Sequence, residues 1–372
     1  MGSHLVELAQ LLKFAIDNKS SDLHLQAGSA PMMRINGIAR FVQGATLTDA
    51  QVRNLLMEIL PPSRKADLDR DLIQGIDFSY SHADLGRFRC SAFQHLNGCG
   101  VVLRVIQGKI PSFEDLMLPP VIHDIARSQR GLTLLTGTTG SGKSTTLASM
   151  IDLINETYRC KIVTIEDPIE YVHTNKKAMV SQIELGTDTP SFDQALRQAL
   201  RQDPDVILVG ELRDVETLKI ALRAADTGHQ VFSTLHSSNA AQTIERIIAM
   251  FPADEHSILL SQLATNVEAI ISQRLVTTTA GGRRPAVEVL RGSAVTEKFI
   301  FERRLGELLT YIETGESGMQ SFDQHLLKMY QEKAISGTEA MRWATNPEMM
   351  GMALRGIRRI GSGGEVVMLE KA

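Results

Sequence analysis

Eight consecutive residues, Gly137-Thr138-Thr139-Gly140-Ser141-Gly142-Lys143-Ser144, match the pattern G-x-x-x-x-G-K-[S/T]. The glycines let the backbone curl around phosphate oxygens and point N–H groups at them. Residues 132–136 before the loop read as an apolar strand and residues 145–155 after it as a helix, whose N-terminal dipole favours the same anion. Residues 137–145, Thr145 included, are the expected nucleotide-binding set. Lys143 is expected to reach the β- and γ-phosphates of ATP, with the Ser144 hydroxyl on Mg²⁺.

Two acids follow at strand ends. Val206-Ile207-Leu208-Val209 is a buried-type strand running into Gly210-Glu211, which predicts an acid at its C-terminal edge beside the loop. Residues 161–166 form another strand that ends in Glu166 and Asp167. Two carboxylates near a γ-phosphate divide the work: one orders Mg²⁺ and its waters, the other polarises the attacking water. His229 and His236 bracket a further strand, residues 230–235. His236 stands at the strand end where ligand-facing groups of an α/β sheet lie, so geometry favours it for sensing the γ-phosphate. A whole strand separates the two histidines, which argues against a shared metal site.

The elements that must position these groups form two zones. Up to about residue 107 the chain reads as a small α+β domain. Leu5, Leu8, Leu12 and Ala15 lie at helical spacing, residues 22–25 and 33–35 alternate as strands with an Asn36-Gly37 turn, and residues 87–93 and 101–106 pair around Asn97-Gly98. Residues 108–120 supply a linker that ends in Pro119-Pro120, and residues 121–360 hold the phosphate loop. There, short apolar strands (132–136, 161–166, 205–210, 230–235) alternate with amphipathic helices, the mark of a mostly parallel α/β sheet. A helix is expected from Ser191 to Gln202, helical structure after Ser257, and a hairpin over 274–290 centred on Ala280-Gly281-Gly282. Residues 361–372, opening with Gly361-Ser362-Gly363-Gly364, are expected to be a flexible tail.

Composition sets outer bounds. Lys+Arg 39 against Asp+Glu 43 gives a net charge of −4, no whole-chain signature of a nucleic-acid binder. No apolar run approaches the roughly 20 residues of a membrane span, and Met1-Gly2-Ser3-His4 does not open a secretion signal. Cys90, Cys99 and Cys160 form no CxxC pair and are odd in number, which suits a reducing compartment and sets a zinc module aside.

Four segments in order resemble the signatures of the secretion ATPases of type IV pili and type II secretion. These are the Walker A loop 137–144, an Asp box at 164–171, an atypical Walker B at 207–211 and a His box at 228–236. The likeness spans nearly all of residues 4–350, and Ser21-Asp22-Leu23-His24-Leu25 looks like that family's PAS-like N-terminal domain. The resemblance implies an α/β fold with a RecA-like (ASCE) P-loop NTPase domain after a small α+β PAS-like domain. It is closest in kind to the retraction (PilT/PilU) group. Assembly and type II secretion ATPases carry an additional N-terminal domain and commonly a four-cysteine zinc motif, neither of which is present, and residues 319–330 resemble the retraction ATPases. One feature departs: the AIRNL-type motif of that group is not recognisable, the region reading Phe299-Ile300-Phe301-Glu302-Arg303-Arg304-Leu305-Gly306-Glu307. An accessory PilU-like or an assembly role therefore stands as the alternative to retraction proper.

The resemblance also implies ATP and Mg²⁺ as cofactors and a homohexamer that works at the cytoplasmic face of the inner membrane. A PilC-like platform protein and a second retraction ATPase are its implied partners. By matching position, Glu211 is the Walker B acid near Mg²⁺ and Glu166 the general base, with an exchange of those roles left open. The family pattern puts His229 near the γ-phosphate, contrary to the strand-end argument for His236. Arg89 and Arg104 resemble the N-domain arginines that reach the adjacent subunit's nucleotide, whereas Arg197 and Arg201, at i and i+4, read as a solvated or structural pair. Two other classes of function are a RecA-like nucleic-acid translocase and a nucleotide switch without rapid turnover. The absence of RNP, zinc-finger and helix-turn-helix signatures argues against nucleic acid.

Overall fold

Alternating burial along short strands builds an antiparallel sheet early in the chain, and longer apolar strands build a mostly parallel one after it. The computed structural model describes residues 7–35, 37–106, 108–360 and 365–368. Two compact units result: Met1–Lys109 with Asp167–Val172 and Glu184–Ser191, and Ile110–Glu166 with His173–Ile183 and Phe192–Ala372.

In the first unit, β1 (Ser20–Gln26), β2 (Met32–Ile35), β3 (Ile38–Phe41), β4 (Ile76–His82), β5 (Gly86–His95) and β6 (Gly98–Val105) form a sheet of order β3-β2-β1-β6-β5-β4. One face buries Leu23, Leu25, Phe88, Cys90, Val101 and Leu103 against helices Leu8–Asp17 and Asp49–Ile59. The second helix starts in a capping box, Thr48 with Gln51, which satisfies its first free N–H groups. At Gly98 (φ 130°) a side chain would run into the Asp49 carboxylate, so the β5–β6 turn requires glycine there. The helix spacing of Leu8, Leu12 and Ala15 is borne out by their burial, while Leu5, Asn36 and Gln107 lie outside the described residues. Strands β3 and β4 were not anticipated.

The second unit holds β7 (Gly131–Thr136), β8 (Lys161–Glu166), β9 (Met179–Glu184), β10 (Val206–Val209), β11 (Gln230–Leu235), β12 (Val267–Thr277) and β13 (Arg283–Arg291). Their order is β13-β12-β7-β11-β10-β8-β9. The pairs β12–β7, β7–β11, β11–β10 and β10–β8 are parallel, and β12–β13 is antiparallel. Every residue of β7, β10 and β11 is buried, so these strands show no polar-out alternation; the polar Gln230, Ser233 and Thr234 of β11 are hydrogen-bonded to backbone carbonyls inside.

The strand leading to Glu211, β10, is separated from the phosphate-loop strand by β11. Two expectations need correction. Residues 267–273, expected to be helical, are strand: the helix His256–Asn266 ends at Asn266, and Val267, Ile270 and Ile271 pair with the open edge of β7. The helix expected over 191–202 spans only Phe192–Ala199. The glycine-rich segment 361–364 and residues 369–372, read as flexible tail, lie outside the described residues. The intervening β15 (Glu365–Met368) pairs with β14 (Ile357–Ile360).

Candidate functional site

The phosphate loop leaves the C-terminal end of β7 and enters the helix Lys143–Thr157. Gly137, Gly140 and Gly142 have φ of 144°, 78° and 91°, a conformation that L side chains rarely adopt. A Cβ at Gly137 would sit 2.6 Å from Ser141 Oγ, and one at Gly142 would sit 2.8 Å from Gln273 Nε2. The tight curl therefore depends on glycine. No side chain caps the helix start at Gly142, so its first N–H groups remain for an anion. Lys143, only 8% exposed, donates from Nζ to the carbonyls of Gly137 (2.8 Å) and Thr138 (3.1 Å), which aims the ammonium across the mouth of the loop. Ser141 Oγ is buried without a hydrogen-bond partner. A buried cation, an unsatisfied hydroxyl and uncapped N–H groups around a glycine curl fit a polyphosphate. Thr138, Thr139, Ser144 and Thr145 lie in the same loop and first helical turn.

Sequence reasoning missed what grips this loop. Gln273, on β12 and 2% exposed, donates from Nε2 to the Ser141 carbonyl at 2.7 Å and accepts from Thr146 Oγ1 at 3.0 Å. A lone glutamine in the run Ile270-Ile271-Ser272-Gln273 was the available signal, since a polar side chain in a buried strand needs a built partner.

Because β11 separates β7 from β10, its C-terminal residue stands between the loop and the Walker B acid. Directly after that residue, Leu235, comes His236, whose Nε2 lies 3.4 Å from Glu211 Oε1. Arg213 Nε donates to the other Glu211 oxygen at 2.8 Å. The segment after β10 is tied to β11 by Thr234 Oγ1 donating to the Gly210 carbonyl (2.7 Å) and by Leu212 N–H donating to the Thr234 carbonyl (3.1 Å). Glu166 ends β8, the strand on the far side of β10, and its Oε1 accepts from Thr164 Oγ1 at 2.7 Å and Gln182 Nε2 at 3.1 Å.

The two histidines part company. His229 precedes β11 at the opposite edge of the sheet: its carbonyl accepts from Gly131 N–H, at the start of β7, and its Nδ1 lies 2.9 Å from the Ala224 carbonyl. The length of β11 separates His229 from the loop edge, where His236 stands.

In the first unit, Arg89 and Arg104 are directly paired across β5 and β6 and both are exposed. Two like charges at that spacing repel. Asp22, across from Arg104 on β1, accepts from its Nε at 2.8 Å, and the Arg104 side chain remains 65% exposed. Hydrogen bonds from Ser21 and Arg104 hold the Asp22 carboxyl below its ordinary pKa against the opposing effect of burial, which is the largest single influence. Arg197 is ion-paired with Glu216, a structural use of that arginine. Among the described residues, no group of three or more His, Cys, Asp or Glu is arranged to hold a metal on its own. Cys90, Cys99 and Cys160 are free thiols.

A glycine-curled phosphate loop on a parallel sheet, with a second strand inserted before the acid-bearing one, defines a RecA-like P-loop nucleotide-binding protein. Residues 4–342 match the family described as type II/IV secretion system protein, and the chain belongs to that family. It is 42% identical over 344 residues to the type IV pilus retraction ATPase PilT of Pseudomonas aeruginosa, covering 92% of this chain and 99% of that one. It is 38% identical over 352 residues to the type IV pilus ATPase PilU of the same organism, covering 94% and 92%. The crystal structure of the pilus retraction motor PilT with bound ADP superposes with a TM-score of 0.86 at 39% identity, over 92% of this chain and 98% of that one.

Proposed function

We infer that this protein is an ATPase that converts hydrolysis into movement and powers type IV pilus retraction. The observation that carries the reading is the near end-to-end likeness to a retraction motor that binds ADP. The glycine-curled loop, with His236 and Glu211 beside it, supports hydrolysis rather than mere binding.

Within this reading Lys143 holds the β- and γ-phosphates, and the loop N–H groups fix their orientation. Glu211 and Glu166 share orientation of the attacking water and support of the cation, and His236 links the γ-phosphate position to Glu211. Mg²⁺ would be held by the Ser144 hydroxyl and, through its waters, by Glu211, and when bound it supplies charge neutralisation of the phosphates. Arg89 and Arg104 are proposed to act on the site of an adjacent subunit in a homohexamer. The protein would work at the cytoplasmic face of the inner membrane against a PilC-like platform protein, alongside a second retraction ATPase. No helix among the described residues is long and apolar enough to cross a membrane.

The accessory reading is kept because PilU is nearly as similar as PilT. Expression of this chain in P. aeruginosa strains lacking either PilT or PilU, scored for twitching, tests both. Recovery without PilT supports retraction proper. Recovery only without PilU supports the accessory role, and recovery in neither strain, with verified expression, counts against both readings.

A further inference from the structure

The run Pro285–Leu290 in β13 is buried throughout, yet it contains a carboxylate, Glu288, that is 3% exposed. An acid in that place is costly unless its oxygens are bonded, and each bond it makes leads to the hydrolytic site. Its Oε1 accepts from the backbone N–H of Ala240 at 2.8 Å. Ala240 opens the helix Ala240–Met250, directly after the segment His236-Ser237-Ser238-Asn239. Ser272 is directly across the ladder on β12, and its hydroxyl favours the charged form of the same carboxylate. Ser272 Oγ in turn accepts from Thr136 Oγ1 at 3.0 Å, and Thr136 is the last residue before Gly137. Both hydroxyls are fully buried.

These bonds run in one direction. Thr136 donates to Ser272, the Ser272 hydroxyl beside Glu288 favours its charged form, and Ala240 donates to Glu288 from its backbone, so the ionised carboxylate suits both neighbours best. The chain ties the base of the phosphate loop to the start of the helix that follows His236. At its other end the histidine segment is held by Arg246 Nη1, which donates to the His236 carbonyl at 2.7 Å.

We propose that Glu288 is a positioning residue for hydrolysis, fixing the His236 segment relative to the phosphate loop through Ala240 on one side and Ser272–Thr136 on the other. Its role is to hold these groups in place rather than to act on the reacting atoms. The inference rests on the reading of the site as an ATPase and adds a residue that none of the four nucleotide signatures contains.

Burial raises the pKa of Glu288 to about 6, against the Ala240 N–H, the Arg274 charge and the Ser272 hydrogen bond, which lower it, and with Asp323 raising it. Arg274, on β12, is stacked over the Phe322 ring at 3.8 Å, and Asp323 belongs to the helix Phe322–Gln331. These are the charged groups that face it. The acceptor form is therefore the major one at neutral pH and is lost in mildly acidic solution.

The test is steady-state hydrolysis by the whole protein and its Glu288→Gln and Glu288→Asp variants across pH, with ADP affinity and thermal melting measured alongside. Glutamine keeps the volume and an oxygen for the Ala240 N–H but loses the charge and replaces the other carboxylate oxygen by an N–H₂. The expected result for Glu288→Gln is a fall in kcat of about tenfold or more with ADP affinity held within about threefold. The parent should also lose kcat on acidification through about pH 6, a limb absent from the glutamine variant's profile. Glu288→Asp, which keeps the acceptor on a shorter arm, should recover part of the loss and retain the acidic limb. A folded Glu288→Gln protein with parental kcat, or one whose ADP affinity and kcat fall together, overturns the proposal. If that variant does not fold, Ser272→Ala is read in its place: a kcat loss at unchanged ADP affinity supports the proposal and parental kcat overturns it. A parent that hydrolyses no ATP overturns the ATPase reading and this inference with it, whereas an active parent matched by an active Glu288→Gln overturns this inference alone.

Discussion

Lys143 is buried among the carbonyls of its own loop, yet it contributes nothing to the apolar core. Its replacement should therefore separate fold from function. Lys143→Ala is expected to melt within a few degrees of the parent and to hydrolyse ATP at no more than a few per cent of its rate; activity above that level would remove the loop from the mechanism. The two acids call for a finer comparison. Glu211 faces His236 and Arg213, whereas Glu166 is held by Thr164 and Gln182. Glu211→Gln and Glu166→Gln keep the volume and lose the charge, so each should bind ADP normally and lose kcat by about a hundredfold or more. Loss of ADP affinity in parallel with kcat would assign either residue to structure instead. Chemistry-bearing residues of this kind were legible from type and spacing, because a phosphate loop and strand-end acids follow from local sequence. What spacing did not resolve was which histidine stands at the loop edge. The resemblance favours His229 and the strand-end argument His236, and the direction of β11 puts His236 at the loop edge.

At the scale of elements, the parallel strands were readable because full burial leaves continuous apolar runs, whereas β12 was not. Its first half, Val267-Glu268-Ala269-Ile270-Ile271, follows a helix without a glycine or proline to mark the change. Only the open edge of β7, a tertiary fact, selects strand there. That element carries Gln273 and Ser272, so misreading it also concealed the support of the phosphate loop. Gln273→Ala removes two buried bonds and leaves the Ser141 carbonyl and Thr146 hydroxyl unpaired, at about 1–3 kcal/mol for each unsatisfied group. The expected outcome is lower stability in urea together with weaker ADP binding by about tenfold; unchanged ADP affinity would mean that the loop holds its curl without β12. Glu288 on β13 makes a signed prediction. Its folded pKa of about 6 exceeds the ordinary 4.5, so the native state binds the extra proton and this group makes stability fall as pH rises through that window. The size is about 2 kcal/mol, from about 1.4 kcal/mol per pKa unit. Denaturation of the parent and of Glu288→Gln at several pH values should show that difference growing between pH 4.5 and about 6 and constant above it. A pH-independent difference would place the carboxylate in a less buried setting.

At the scale of the whole molecule, the phosphate loop and Arg104 belong to different compact units. An arginine supplied from a neighbouring subunit is worth roughly 10³–10⁵ in rate where it has been measured. Arg104 suits such a role in one respect and resists it in another. Its side chain is 65% exposed, but Asp22 already engages its Nε. An anchored Nε leaves the two terminal nitrogens of the fork for a second partner, so Asp22 serves to aim the guanidinium rather than to consume it. Arg104→Ala should leave ADP affinity nearly unchanged and lower the monomer's melting only modestly, because the buried Asp22 loses one charged partner but keeps its hydrogen bond from Ser21. Hydrolysis should fall by about tenfold or more. The decisive measurement mixes this variant with Lys143→Ala. Each is nearly inactive alone, for different reasons: one lacks the arginine it would lend, the other the loop it would use. In a mixed ring, an Arg104→Ala subunit keeps an intact loop, and a Lys143→Ala neighbour supplies the arginine to it, so activity should reappear as the two are titrated together and peak near equal amounts. An arginine acting on its own subunit's nucleotide, or one that only steadies the sheet through Asp22, gives no such recovery. Mixed rings verified by mass that remain inactive would therefore strike Arg104 from the site and leave Arg89, its exposed neighbour across the ladder, as the next residue to test in the same way.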